Sequence, residues 1–118
     1  MDAGVNRFPV PNLGRCSAVV ADGYVYAVAT DPVCADSLEA QTQNTLQELE
    51  RLLDEAGSGL AGMLQATVYL SDIANKKRMD VVWLDWIGPE TNWPQRACVG
   101  AALEDGYLIE VVVTAKVL

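Results

Sequence analysis

Tyr107-Leu108-Ile109-Glu110-Val111-Val112-Val113-Thr114-Ala115-Lys116-Val117 is the stretch from which the rest of the chain can be placed. Side chains alternate across a strand, so Ile109, Val111, Val113 and Ala115 share one face. Glu110, Val112 and Thr114 share the other. Both faces are rich in β-branched residues, which reads as a central strand covered on both sides. The turn Glu104-Asp105-Gly106 precedes it. Before that turn stands Trp93-Pro94-Gln95-Arg96-Ala97-Cys98-Val99-Gly100, a Pro-bounded loop running into an apolar strand-like run from Arg96 to Leu103. Arg96 is the only full charge in that run. A guanidinium beside apolar neighbours must find an anion or reach water. Its planar fork suits a carboxylate.

The cover for the central strand lies upstream. Asp36-Ser37-Leu38-Glu39 reads as a capping box with Asp36 as N-cap. Leu38, Thr42, Leu46, Leu49, Leu52, Leu53 and Ala56 follow at helical spacing, and Gly57 suits the residue past the end. The face with Gln43, Gln47, Glu50, Arg51 and Asp54 reads as solvated. A second helix, capped by Asn75, puts Met79, Val82, Trp83, Trp86 and Ile87 on one core-facing stripe and stops at Gly88-Pro89. Between the helices, Leu64, Ala66, Val68 and Leu70 alternate with Gln65, Thr67 and Tyr69, a half-buried strand. Asp22-Gly23 joins the runs 16–21 and 24–30 as a type I′ hairpin. The order is β-β-α-β-α-β-β, an α+β domain over residues 1–118 with two helices on one face of a mixed sheet. The other face is expected to carry Ala18, Val20, Ala101 and Val112. Such a small, apolar face predicts oligomerisation.

Composition removes several chemistries. The 118 residues suffice for one core, and 51% are hydrophobic against 20% charged. There is no histidine, so Ser-His-Asp and Cys-His arrangements are excluded. Cys16, Cys34 and Cys98 are an odd set without metal spacing, which predicts a reducing, cytoplasmic setting and no metal. A net charge of −8 disfavours nucleic acid. No apolar run is long enough to span a membrane, and the N-terminal residues do not read as a secretory signal.

Element order, Pro94-x-Arg96-x-Cys98-Val99, Tyr69-Leu70-Ser71-Asp72 and Ile109-Glu110-Val111-Val112-Val113-Thr114-Ala115 together resemble the Rid family, the reactive-intermediate deaminases also called YjgF. The resemblance covers nearly the whole chain. It implies a chorismate-mutase-like fold and a homotrimer with ligand clefts between subunits. It further implies hydrolysis of enamines and imines such as 2-aminoacrylate to 2-keto acids and ammonia, without metal or organic cofactor. The carboxylate-binding arginine of the family matches Arg96. The cysteine whose backbone holds substrate or water matches Cys98. Elsewhere the chain departs from the pattern. The water-positioning glutamate falls at Val112, the tyrosine at Cys16, the serine and glycine at Ala29 and Thr30, and the asparagine at Asp80.

Each site residue also has a plainer reading. Arg96 is either a ligand anchor or a structural partner of Glu110 or of a neighbouring subunit's acid; the family context favours the anchor. Cys98 is a small buried hydrophobe whose backbone alone is used. Trp93 either caps the cleft or packs at a subunit boundary. Glu110, Asp31 and Asp80 are the carboxylates available in place of the missing glutamate. The alternatives to a deaminase are a catalytically weak carboxylate-binding protein and an interaction module, both on the same trimeric fold.

Overall fold

A computed structural model describes residues 4–118. Six strands form one sheet: β1 (Asn6–Pro9), β2 (Cys16–Ala21), β3 (Tyr24–Ala29), β4 (Met63–Leu70), β5 (Gln95–Gly100) and β6 (Ile109–Lys116). Their order across the sheet is β1-β2-β3-β6-β4-β5. Only β4 and β5 pair in parallel. The helices are α1 (Leu38–Glu55) and α2 (Lys76–Ile87), and α1 packs across β3 and β6 and against α2. No helix among the described residues is long and apolar enough to cross a membrane.

β6 is central, between β3 and β4, as its composition predicts. Ile109, Val111, Val113 and Ala115 are buried beneath the helices. The second face is not covered by any helix among the described residues, however, and Val112 is 39% exposed. The Asp22-Gly23 turn has both residues at positive φ (53° and 81°), the type I′ signature. The apolar stripe of α1 is buried from Leu38 to Ala56, and Gly57 takes φ 84° just past its end.

Several local expectations are corrected. β1 was not expected: Asn-Arg-Phe-Pro has neither alternation nor β-branched residues, and only the exposed edge of β2 recruits it. Ser37, not Asp36, caps α1, accepting from the Ala40 N–H at 3.1 Å. This leaves Glu39 free to pair with Arg78 of α2 at 2.7 Å. Asp72 accepts from the Ala74 N–H at 3.0 Å and starts a 3-10 turn, Ile73–Asn75, that runs into α2; Asn75 makes no side-chain cap. A register shift between Met63 and Gln65 turns Leu64 outward and buries Met63 instead.

The open face is also differently composed. Ala18 pairs with Ala27 and Val20 with Val25, and the paired Ala27 and Val25 are buried under the helices. Side chains opposite each other share a face, so Ala18 and Val20 belong to the core. Ala101 lies beyond β5. The open face instead carries Tyr24, Tyr26, Val28, Thr67, Tyr69, Val99, Glu110 and Val112, fixed by the pairs Tyr26–Thr114, Val28–Val112, Thr67–Val112, Tyr69–Glu110 and Tyr69–Val99. It remains largely apolar, but bulkier than expected.

Candidate functional site

Arg96 sits opposite Ala66 in β4, which sits opposite Val113 in β6. It therefore projects from the helix side of the sheet. Because β5 is the edge strand, the guanidinium is not swallowed by the core but emerges beneath α2. There its Nη2 donates to Asp80 Oδ1 at 2.7 Å. Its Cζ lies over the Trp83 ring, 5.0 Å from the centroid, and Nη1 faces the Met79 sulfur at 3.9 Å. The side chain is 19% exposed. The carboxylate that Arg96 meets within the chain is thus Asp80, not Glu110, which lies on the opposite face.

Asp80 serves two cations. Its other oxygen accepts from Lys76 Nζ at 2.7 Å, one helical turn away. Burial pushes the Asp80 carboxyl up, but hydrogen bonds from Lys76 and Arg96 more than offset this and hold it below the usual range. It is ionised at neutral pH. Lys76, Asp80 and Arg96 together carry one net positive charge. Asp80 and Arg96 border a cavity of about 310 Å³ walled by Trp83, Leu84, Ile87, Trp93 and Pro94; Lys76 is not in its lining and bears on it only through Asp80. Trp93 is fixed there by a bond from its ring N–H to the Gly88 carbonyl at 3.1 Å. Within the chain it is a wall of the Arg96 cavity.

Cys98 lies two residues beyond Arg96 on the same side of β5 and is half-buried. Burial pushes its thiol up, and the nearby Arg96 offsets this only in part. A neutral thiol is a poor nucleophile.

The remaining candidates lie across the sheet. Glu110 and Thr30 border a second cavity of about 330 Å³ with Arg15, Val28, Glu104 and Tyr107. Cys16 and Val112 border a shallow groove with Tyr26 and Val28. Ala29 pairs with Val111 and is buried in the core, so its side chain reaches neither. The chain thus gathers Arg96, Cys98, Asp80 and Trp93 on one side, and Cys16, Thr30, Glu110 and Val112 on the other. Reasoning from the sequence overlooked Lys76 and took Trp83 for core alone. The i,i+4 spacing of Lys76 and Asp80 was the signal for the first; nothing local announces the second.

Asp31 is removed from the acid–base candidates. It is fully buried, and its oxygens accept from the Val33 and Ala35 N–H groups at 2.8 Å each and from Asn44 Nδ2 at 3.2 Å. Burial raises its pKa, but these bonds outweigh it and the net shift is downward. A carboxylate so engaged pins the 31–37 loop. Gln41 does the same for the facing loop, donating to the Ala35 and Gly106 carbonyls at 2.8 Å and accepting from the Leu108 N–H at 2.9 Å. Asp31→Ala should cost about 2–3 kcal/mol, since it strands buried donors. A lowered folded pKa means the contribution is present above about pH 4 and is lost as pH falls towards the folded value. Urea titrations at pH 7 and pH 3 should show a larger gap between wild type and Asp31→Asn at pH 7. An equal gap at both would refute the assignment.

Residues 16–117 match the protein family described as Endoribonuclease L-PSP. A RutC family protein of Haemophilus ducreyi is 35% identical over 117 residues, covering 96% of this chain and 97% of that protein. The RutC family protein YoaB of Escherichia coli is 31% identical over 93 residues, 78% of this chain and 80% of that one. A crystal structure of a YjgF family member from Neisseria meningitidis superimposes with a TM-score of 0.89 at 28% identity, covering 98% and 97% of the two chains. A Yersinia pestis protein described as of the Rid family shares the fold, with a TM-score of 0.84 at 24% identity over 94% of each chain. With its sheet order and its Pro94-x-Arg96-x-Cys98 stretch, the chain belongs to the Endoribonuclease L-PSP family, that of the YjgF, RutC and Rid proteins.

Proposed function

We propose that the protein hydrolyses enamines and imines of the 2-aminoacrylate type to 2-keto acids and ammonia, with Arg96 anchoring the substrate carboxylate. The observation that carries this reading is Arg96 at the mouth of an apolar cavity, paired there with Asp80, whose charge Lys76 offsets from outside the lining. Asp80 takes one guanidinium nitrogen, and the ring of Trp83 supports the guanidinium from one side. A substrate carboxylate takes the remaining edge. The enamine tautomerises to an imine, water adds across C=N, and the carbinolamine expels ammonia as the ketone forms. Holding imine and water together supplies much of the acceleration.

Among the described residues that line the Arg96 cavity, none is a free general base. Asp80 is ionised but holds two cations, and the Cys98 thiol is neutral. Of the residues at the family's other site positions, Cys16, Thr30 and Val112 lie across the sheet from Arg96. A complete cleft therefore takes Arg96 from one subunit and the open face from another, in a homotrimer. Tyr26 at 49% exposure and Val99 at 41% are apolar surface suited to that contact. Sedimentation equilibrium should give a trimer at micromolar concentration; a monomer throughout would defeat this part of the reading.

The second reading, a weak carboxylate-binding protein, is favoured by one observation: valine occupies position 112. RNA cleavage, which the family description names, suits the chain poorly, since it carries −8 net charge and no histidine. The test is release of pyruvate and ammonia from 2-aminoacrylate generated in situ. Enzyme-dependent release supports the deaminase. Binding of 2-keto acids without turnover selects the second reading.

A further inference from the structure

We infer that Asp80 and Lys76 set the charge selectivity of the Arg96 cavity, tuning it to singly charged 2-imino and 2-keto acids with apolar side chains. The inference rests on Arg96 being the carboxylate anchor and goes on to name which carboxylates it takes. An anchoring arginine alone would offer a full positive charge and both edges of its fork. Here Asp80 occupies Nη2 at 2.7 Å and cancels that charge. Lys76, also 2.7 Å from Asp80, restores one unit. The balance is +1, enough for one carboxylate and no more.

What surrounds the cluster points the same way. The cavity walls beyond the guanidinium are Trp83, Leu84, Ile87, Trp93 and Pro94, with no further cation among them. Against these walls a second carboxylate on the ligand would lose its hydration to indole and aliphatic carbon, with no further cation among them to compensate. It would also meet the field of a chain carrying −8 net charge. A branched aliphatic side chain fits the same walls and gains from leaving water. Lys76 is a positioning residue: it reaches the ligand only through Asp80, whose charge it offsets.

The experiment measures binding of 4-methyl-2-oxopentanoate and 2-oxoglutarate by calorimetry, on wild type, Asp80→Asn, Lys76→Met and Arg96→Ala. Wild type should favour the monoanion at least tenfold. Asp80→Asn keeps an acceptor for Nη2 but adds one positive unit to the cluster. It should tighten the dianion about tenfold more than the monoanion. Lys76→Met should weaken both, the dianion more. These shifts should shrink as salt is raised, which a packing effect would not do. If both acids bind through Arg96 but the ratio between them is the same in wild type and Asp80→Asn, the selectivity role is wrong while the anchor stands. If neither acid binds wild type, or Arg96→Ala binds them equally, the anchor and this inference both fall.

Discussion

Arg96→Ala should lower kcat/KM on 2-aminoacrylate by about 1000-fold while leaving the fold intact. Losing a hydrogen-bonded ionic anchor costs about 4 kcal/mol of binding and transition-state stabilisation. The fold should survive because Asp80 is not orphaned. It keeps Lys76 at 2.7 Å and remains one-quarter exposed. The stability loss should be about 1 kcal/mol, far less than for a carboxylate stranded in a core. Arg96→Lys separates charge from geometry. An ammonium cannot serve Asp80 and a ligand with one rigid fork. It should still lose about 100-fold. Titration with 2-keto acids and a stopped-flow assay of ammonia release would check both. Binding in Arg96→Ala equal to wild type would sink the assignment. So would a large drop in melting temperature accompanying the loss of activity, since that would make Arg96 structural.

The contrast between Arg96 and Glu110 shows what the sequence discloses and what it withholds. Elements with strong periodicity are legible: the α1 stripe, the Asp22-Gly23 hairpin and the central strand β6 all follow from spacing alone. The side of each β6 residue is legible too, from alternation, but the hairpin's was not: Ala18 and Val20, expected on the open face, belong to the core. An edge strand is different. Arg96 lies on the helix side because Ala66 and Val113 do, and that register depends on β4, not on any residue near Arg96. So a Glu110 partnership within one chain looked reasonable in one dimension and is impossible in three. Asp31 and Gln41 were hidden for a related reason. Their partners are backbone groups of loops, and loop backbones carry no side-chain signature. β1 was hidden because an edge recruits by its free hydrogen-bonding groups and tolerates Asn6, Arg7 and Pro9. The Lys76–Asp80 pair was within reach, as an i,i+4 spacing inside the second helix that the sequence marks after Asn75.

The division of candidates between two faces yields the second large effect. Val112→Glu should raise turnover about 100-fold, because a carboxylate at that position can orient and deprotonate the attacking water. The site accommodates it: Val112 is exposed on the open face between Val28 and Thr67. Glu110 is on the same face, roughly 7 Å along the strand. Two carboxylates at that range raise one pKa, so the gain should grow as pH rises through neutrality. The Michaelis constant should change less, since the proposed Arg96 anchor is left in place. Because Arg96 and position 112 project from opposite sides of one sheet, the new carboxylate must act on the cleft of a neighbouring subunit. A chain carrying both Arg96→Ala and Val112→Glu should therefore be inactive alone, yet active beyond wild type when co-assembled with wild-type chains. Some clefts then pair an intact Arg96 with the new carboxylate. Mixed trimers no more active than their wild-type content, beside an active Val112→Glu homotrimer, would show that one chain supplies both groups. A Val112→Glu trimer that binds 2-keto acid but gains nothing at any pH would remove position 112 from the chemistry altogether. Asp31 would not be its replacement, because every bond it makes already holds the fold together.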